Sequence, residues 1–232
     1  MRTERICSVE ALVRWRHPER GVVAPDAFLP AAEQTGLIDP LTRWILGAAL
    51  AQIGDWGAAC DALSVAVNVS ARNLARADFA DAVLTALAEA GVPAARLIVE
   101  ITETALMTDP AVAADVLGRL AAAGVRVSID DFGQGQTSLA YLATLPLHEL
   151  KIDKSFVDDL PDNIAHAAIV RSVIDLGHNL GLQVVAEGVE TTEVADLLTA
   201  AGCDIAQGYL LARPMPADDL PSWLNARQAT VG

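Results

Sequence analysis

The chain has little of what would identify several common classes of protein. Its three cysteines, Cys7, Cys60 and Cys203, are odd in number and lack the close spacing of a zinc site, so we expect reduced thiols. No uncharged apolar run approaches the length of a membrane span. The N-terminal stretch MRTERICSVEAL interleaves charges with short apolar pieces, unlike a signal peptide. We therefore expect a cytoplasmic protein.

Positive charge is also scarce. Lys and Arg total 16 against 30 Asp and Glu, which gives a formal net charge of -14. Such a field repels long DNA or RNA and acidic membranes, so an anionic ligand would need a metal ion or local arginines. Hydrophobic residues make up 53% of the 232 residues, which indicates a globular chain with ample material for a core.

The hydrophobic pattern alternates short β-branched runs with longer amphipathic segments. Glycines end several of the amphipathic segments, as Gly91, Gly124, Gly181 and Gly202 do. This order is typical of βα units with a parallel sheet. The predicted strands are 6–15, 64–70, 96–102, 125–131, 149–153, 183–189 and 204–211.

Several predicted strands are apolar on both faces, which favours a sheet covered on both sides, either doubly wound or closed into a barrel. Polar residues interrupt each run near its C-terminal end. An open sheet gathers its ligand at one switch point, whereas a barrel gathers the ends of all its strands around one mouth. We therefore predict an α/β fold of the TIM type. Only seven strands are found where eight are expected, so one is weak or missing.

The segment SIDDFGQGQTSL, 128–139, places two aspartates at the end of an apolar run. Asp130 and Asp131 are either turn-forming or capping residues, or they hold a metal ion, because two adjacent buried carboxylates repel each other without a counter-charge. Taken singly, the other strand-end polar residues also have ordinary structural explanations. Together, oxygen ligands without thiolate or histidine favour Mg²⁺ or Mn²⁺. Two such ions sharing an aspartate suit in-line attack on a phosphate ester.

An ordered set of motifs strongly resembles the EAL-domain family from about residue 2 to about residue 220. The motifs are Glu10-Ala11-Leu12 within VEALVRWRHPERG, NVS at 68–70, EITE at 100–103, DDFG at 130–133, KID at 151–153, EGVE at 187–190 and QGY at 207–209. The resemblance implies a TIM-type barrel that hydrolyses cyclic di-GMP to linear pGpG by two-metal-assisted attack of water. Other members of the family are degenerate and only bind a ligand or a partner.

The resemblance also implies roles for individual residues. The implied ligands of the two Mg²⁺ or Mn²⁺ ions are Glu10, Asn68, Glu100, Asp130 as the bridging residue, and Asp131. The implied catalytic residues are Lys151 at the attacking water, Asp153 beside it, Glu187 as general base or water-mediated ligand, and Gln207, which helps to position the second metal. Leu12 and Arg14 are the implied substrate-binding residues, with Arg14 on a phosphate. Glu103 is implied to hold the loop after DDFG.

The chain departs from the family pattern in two places. Gln134, Gln136 and Thr137 replace the loop's usual small residue, tyrosine and serine, and this loop links metal binding to the dimer interface in the family. The family's first strand, with its Gln-Pro-Ile type motif, has no counterpart before RTERICSVEAL. We expect a domain over 1–225 that is N-terminally truncated relative to the family, followed by a tail over 226–232. A barrel that lacks a strand exposes two sheet edges, which favours strand addition or association.

The leading hypothesis from the sequence is a cyclic di-GMP phosphodiesterase, since each family catalytic residue that falls within the chain is present. The main alternative is a weak or inactive EAL domain that binds cyclic di-GMP or a protein. A third is a truncated reading frame whose product folds poorly. Expected partners are cyclic di-GMP, a second copy of the chain in a homodimer, and an upstream sensory or GGDEF-type domain outside this chain. The choice between Mg²⁺ and Mn²⁺ stays open, because the same oxygen ligands suit both.

Overall fold

A computed structural model describes residues 5–60, 62–133 and 138–231 of the chain. Nine strands lie in these residues: β1 (Ser8–Glu10), β2 (Trp15–His17), β3 (Gly21–Val23), β4 (Ser64–Val69), β5 (Leu97–Thr102), β6 (Arg126–Phe132), β7 (Glu149–Ile152), β8 (Gln183–Ala186) and β9 (Ile205–Ala206). The α-helices there are α1 (Leu29–Thr35), α2 (Ile38–Asp55), α3 (Ala71–Leu74), α4 (Phe79–Ala90), α5 (Glu103–Leu106), α6 (Pro110–Ala122), α7 (Leu139–Leu142), α8 (Lys154–Val157), α9 (Ile164–Asn179), α10 (Thr192–Ala201) and α11 (Leu220–Val231).

Seven of the strands form one parallel sheet in the order β1-β4-β5-β6-β7-β8-β9, and β2 and β3 form a separate antiparallel pair. The strands of the large sheet follow one another in chain order with helices between most of them, which is the arrangement of a βα barrel. Their outward-facing valines and leucines pack into one continuous core with the surrounding helices. The predicted α/β barrel class with seven strands is confirmed.

The sheet curls until its first and last strands approach each other at one end. Within the described residues β1 and β9 share no backbone pairing, yet Gln207, directly after β9, donates a hydrogen bond from Nε2 to Glu10 Oε2 at 2.7 Å. Because these residues lie at the carboxyl ends of the two outermost strands, the contact brings the opposite edges of the sheet together there. The interior opens into a cavity of about 1630 Å³ between β1 and β9.

The extent of the first predicted strand, 6–15, is wrong. The parallel strand ends at Glu10, and Trp15–His17 instead pairs with Gly21–Val23 as a hairpin. Its turn is stabilised locally, because His17 Nδ1 accepts hydrogen bonds from the backbone N–H groups of Glu19 and Arg20. Short-range turn chemistry thus divides what the apolar pattern presents as a single strand.

The last two predicted strands, 183–189 and 204–211, are also shorter than expected. β8 stops at Ala186 and β9 at Ala206, after which the two segments cross closely. A Cβ atom on Gly208 would lie 2.2 Å from the backbone oxygen of Val189. Glycine is therefore needed for this close approach, and the chain cannot continue as a regular strand.

Helix ends in the structure agree with the predicted glycine stops, and side-chain caps begin several helices. Asp109 accepts a hydrogen bond from the N–H of Val112 and so caps α6, which begins at Pro110. Gly91 and Gly202 end α4 and α10 in the left-handed conformation.

No helix in the described part of the chain is both long enough and apolar enough to cross a membrane.

The predicted boundary between a domain over 1–225 and a tail over 226–232 falls inside the last helix. α11 runs from Leu220 to Val231, and its Leu220 and Leu224 are buried against Cys60 and Leu63 in a small second cluster. The division itself stays a prediction. No disulfide links Cys7, Cys60 and Cys203, so the three cysteines are reduced thiols, as expected.

We predict that Gly208→Ala lowers the free energy of unfolding by roughly 2–4 kcal/mol, near the upper end for single substitutions, because the backbone of Val189 must move. Gly47→Ala is the matched control, since Gly47 lies within α2 with open space where its Cβ would be. It should raise the free energy of unfolding by about 0.5–1 kcal/mol. Urea unfolding measures both, and equal effects of the two variants would contradict the assigned close approach.

Candidate active site

The candidate site lies inside the carboxyl end of the curled sheet. Side chains two residues apart on a strand point to the same face, so the inner faces of β5, β6 and β7 carry a ladder of polar groups. The register pairs Asn68 with Glu100, and Thr102 with Asp130, across neighbouring strands. Parallel strands thus bring residues far apart in sequence to one mouth, as predicted.

Lys151 lies at the centre of this ladder. Its side chain is buried, and its Nζ atom lies 2.6 Å from Glu187 Oε1, 3.0 Å from Glu100 Oε1 and 3.3 Å from Asp130 Oδ1. The three carboxylates come from three different strands or strand ends. A single ammonium group therefore offsets part of the negative charge that converges here.

Glu10 is held by two amides. Asn68 donates from Nδ2 to Glu10 Oε1 at 2.6 Å, and Gln207 donates from Nε2 to Glu10 Oε2 at 2.7 Å. Both amide nitrogens thus face the carboxylate, and their oxygen atoms are the ones left to serve as cation ligands. Glu10 also raises the pKa of Glu100 and Glu187, so the two groups of residues belong to one electrostatic site.

The carboxyl groups here resist ionisation. Burial raises the pKa of Glu100 to about 8, against the opposing effect of Lys151. Burial likewise raises the pKa of Glu187 to about 7, and burial together with the charge of Asp130 raises that of Asp131 to about 6. For Lys151, burial favours the neutral amine, but the charges of Glu100 and Glu187 outweigh it and raise the pKa. Burial is therefore the main reason that these carboxyl groups resist ionisation, and the single lysine offsets only part of its effect.

A bulge in β6 turns both aspartates toward the same place. Consecutive residues of a regular strand point to opposite faces, but the register between β6 and β7 shifts between Ile129 and Phe132. Within this shift Asp131 has a φ of 54°, in the left-handed region. Its N–H donates to Asp130 Oδ1 at 2.9 Å. A local backbone irregularity thus places two adjacent carboxylates on one side of the sheet.

The donor set fits a hard divalent cation. One oxygen from each of Asp130, Asp131 and Glu187 lies within 4.8 Å of the others, and among the described residues this is the group of His, Cys, Asp and Glu side chains that could hold a metal ion. In addition, Glu100 Oε2 is buried without a hydrogen-bond partner there. An all-oxygen set with excess negative charge is what Mg²⁺ and Mn²⁺ prefer.

Asp153 lies beside this cluster but also has a structural role. Its Oδ1 accepts a hydrogen bond from the N–H of Ser155 at 2.9 Å and so caps the short helix α8. The charge and hydrogen bonding of Asp153 also raise the pKa of Asp131. A catalytic role for Asp153 stays a prediction.

The two predicted substrate-binding residues lie farther out. Leu12 and Arg14 are exposed, and Arg14 Nη1 donates to the backbone oxygen of Val13. Both line the same cavity as Glu10, Lys151 and Gln207. They are therefore in reach of a ligand that occupies the cavity without contacting the carboxylate cluster themselves.

Glu103 lies where the sequence places it, beside the segment after DDFG. It is buried at the start of α5, and its Oε2 accepts a hydrogen bond from the N–H of Gly133 at 3.4 Å. The loop substitutions Gln134, Gln136 and Thr137 lie outside the described residues, and their effect stays a prediction.

The sequence reading passed over Ser128, which the structure places on the inner face of β6 two residues before Asp130. Its side chain is fully buried, and its Oγ has no hydrogen-bond partner among the described residues. The period-two spacing from Ser128 to Asp130 is the signal that could have identified it. The residues Arg126 and Glu149, ion-paired at the opposite end of the interior, were missed in the same way.

Comparison with known proteins gives concordant results. The family model described as "EAL domain" matches residues 1–214. The bifunctional diguanylate cyclase/cyclic di-GMP phosphodiesterase MucR of Pseudomonas aeruginosa is 46% identical over 214 residues, which cover 91% of this chain and 31% of that protein. The cyclic di-GMP phosphodiesterase NbdA of the same organism is 45% identical, over 94% of this chain and 28% of that protein.

A solved structure titled "PaMucR Phosphodiesterase, c-di-GMP complex" superposes with a TM-score of 0.88 at 45% identity, and the match covers 93% of this chain and 88% of that one. The chain spans about a third of the length of the curated relatives it matches. The likeness therefore extends over nearly the whole chain but over one part of those longer proteins.

We predict that the metal-free protein loses stability as the pH rises from about 5 to about 8. Glu100 and Glu187 bind protons more tightly in the folded protein than in the unfolded chain, where their pKa is near 4.5. The stability that these two protonated groups contribute is thus fully present below about pH 4.5, and it is lost as the pH rises through their pKa values in the folded protein. Thermal unfolding in a chelator should show a falling Tm over this range.

The same experiment has a built-in control. Glu100→Gln, which cannot ionise, should flatten the pH dependence, whereas Glu190→Gln should not, because Glu190 is exposed and pairs with Lys154. Added Mn²⁺ should raise the Tm more at pH 8 than at pH 5.5, since the cation replaces bound protons. A Tm of the chelated protein that climbs between pH 5 and 8 would show that the carboxylates are not buried as described.

Proposed function

The chain belongs to the EAL domain family, and from this membership and the geometry of its site we propose that it hydrolyses one phosphodiester bond of cyclic di-GMP to give linear pGpG. The names of MucR and NbdA support the proposal, because both include cyclic di-GMP phosphodiesterase activity. The observation that carries it is the convergence of Glu100, Asp130 and Glu187 on Lys151 inside the mouth of the sheet.

The residues present would hold two divalent cations. The proposed ligands are those implied by the sequence: Glu10, Asn68, Glu100, Asp130 and Asp131. When bound, Mg²⁺ or Mn²⁺ would supply positive charge to stabilise the phosphate oxygens as the transition state forms. The buried oxygen of Glu100 that lacks a partner, and the excess of carboxylates over ammonium groups, support this assignment.

Glu187 is the proposed base. Its pKa of about 7 places it near the operating pH, which is where a general base works best. The Nζ atom of Lys151, 2.6 Å from Glu187 Oε1, holds this carboxylate in place. Because the pKa of Lys151 is raised, its amine stays protonated, so Lys151 acts as a fixed positive charge beside Glu187 and not as the base.

In the proposed reaction a water molecule adds to phosphorus in line with the leaving 3′ oxygen of the ribose. The water oxygen forms a bond to phosphorus, its proton passes to Glu187, and the bond from phosphorus to the 3′ oxygen breaks. The 3′ oxygen then takes up a proton from solvent, and Glu187 later releases its proton to solvent, which leaves a 3′ hydroxyl and a 5′ phosphate. Arg14, on the wall of the same cavity, would bind a phosphate of the substrate through its guanidinium.

The alternative is a module that binds cyclic di-GMP without turnover. The lack of backbone pairing between β1 and β9 in the described residues favours it, because Glu10, a proposed cation ligand, lies on one of these two outermost strands. A homodimer and an upstream sensory or GGDEF-type domain stay predictions from the sequence.

We predict that the purified chain with Mg²⁺ or Mn²⁺ converts cyclic di-GMP to pGpG, which chromatography detects. Glu187→Gln should reduce kcat by about 10²- to 10⁴-fold, the usual contribution of a general base. Glu190→Gln, three residues along and on the surface, should leave kcat unchanged. Tight binding of cyclic di-GMP by calorimetry without any pGpG would support the binding module and exclude the enzyme for this chain.

A further inference from the structure

The hydroxyl of Ser128 is an unexplained buried polar group. Its side chain is 0% exposed in the middle of β6, and its Oγ lacks a hydrogen-bond partner among the described residues. An unsatisfied buried hydroxyl lowers stability, whereas alanine at the same place would carry no such cost. Glu100 Oε2 is the other buried oxygen in the site without a partner there.

These two groups are neighbours across the sheet. The register of β5 and β6 places Glu100 directly beside Ser128, and adjacent strands lie about 4.8 Å apart. Both side chains are on the inner face, because Glu100 and Asp130, two residues from Ser128, contact Lys151. The Ser128 hydroxyl and Glu100 Oε2, both without a partner among the described residues, therefore belong to neighbouring side chains directly below the Lys151 cluster.

The carboxylate on the other side of Ser128, that of Glu149, already has a hydrogen-bond donor. On the next strand the register places Glu149 beside Ser128, but Glu149 Oε1 is already bound by the guanidinium of Arg126. In Glu100, by contrast, Oε1 contacts Lys151 Nζ, and Oε2 has no hydrogen-bond partner among the described residues. Of the two flanking carboxylates, Glu100 is the one that lacks a donor.

We propose that Ser128 is a positioning residue for Glu100: its hydroxyl, which has no partner among the described residues of the metal-free protein, donates a hydrogen bond to Glu100 Oε2 when that carboxylate turns to hold a cation. This hydrogen bond would fix the rotation of the Glu100 carboxylate about its last bond, so that it is presented to the cation in one orientation. This inference rests on the proposed role of Glu100 as a metal ligand.

The test is metal affinity, measured on the chain without cyclic di-GMP. Partners that orient a ligand typically contribute 10- to 100-fold in metal affinity. Ser128→Ala should therefore weaken Mn²⁺ binding about 10- to 100-fold in calorimetry, while the Tm of the metal-free protein stays the same or rises because an unpaired hydroxyl is removed. Ser128→Thr, which keeps the hydroxyl, should restore most of the affinity.

Ser64→Ala is the matched control. Ser64 is a buried serine at the start of β4, and its Oγ bonds the backbone oxygen of Ala95 at 3.5 Å, away from the carboxylates. Its removal should leave Mn²⁺ affinity unchanged. A purely structural role for Ser128 would alter the Tm without altering metal affinity, and that result would overturn the proposal.

The outcomes separate this inference from the proposed function. If the wild type produces pGpG and Ser128→Ala binds Mn²⁺ as tightly as the wild type, the positioning role fails and the phosphodiesterase stands. If the wild type produces no pGpG but its Mn²⁺ affinity depends on the hydroxyl at 128, the positioning role stands and the activity fails. Absence of any Mn²⁺ binding by the wild type would overturn the inference directly.

Discussion

The charge balance around Lys151 is the constraint on which the site depends. Several carboxylates lie inside an otherwise apolar sheet, and isolated ions there would cost several kcal/mol each. One buried ammonium group contacts three of them. Burial above all, and after it the charges of neighbouring carboxylates, still raises the pKa values of Glu100, Glu187 and Asp131. The proposed divalent cation would offset the charge that the lysine does not, so the same cluster of buried carboxylates that is unfavourable without metal would bind it.

This balance exists only because the strands run parallel and in register. The polar residue near the end of each strand then reaches one mouth, while valines and leucines on the outer faces pack under the helices. The contact of Gln207 with Glu10 joins the two ends of the curled sheet at that mouth. The apolar core and the polar site are thus two faces of the same strands, and a shift of register by one residue would exchange them.

Much of this could be read from the sequence, since it is local. The alternation of short β-branched runs with amphipathic segments, together with the glycine stops, predicts the strands and most of the helices. The polar residues at the strand ends indicate the candidate site. The predicted strand boundaries are wrong where hydrogen bonds within a turn, or close contacts between backbone segments, end a strand early. The hairpin after Glu10 depends on His17 accepting from its own turn, and β8 and β9 end early because Gly208 passes against Val189.

The sequence by itself determined which residues stand at the ends of the strands, because the alternation of apolar and polar residues depends only on residues that are close together along the chain. Only the tertiary structure decided how they act together. The bulge that turns Asp130 and Asp131 to one side, the place of Lys151 among the three carboxylates, and the unpartnered hydroxyl of Ser128 beside Glu100 depend on register and curl. These are relations between strands distant in sequence, and no local pattern encodes the distances between them.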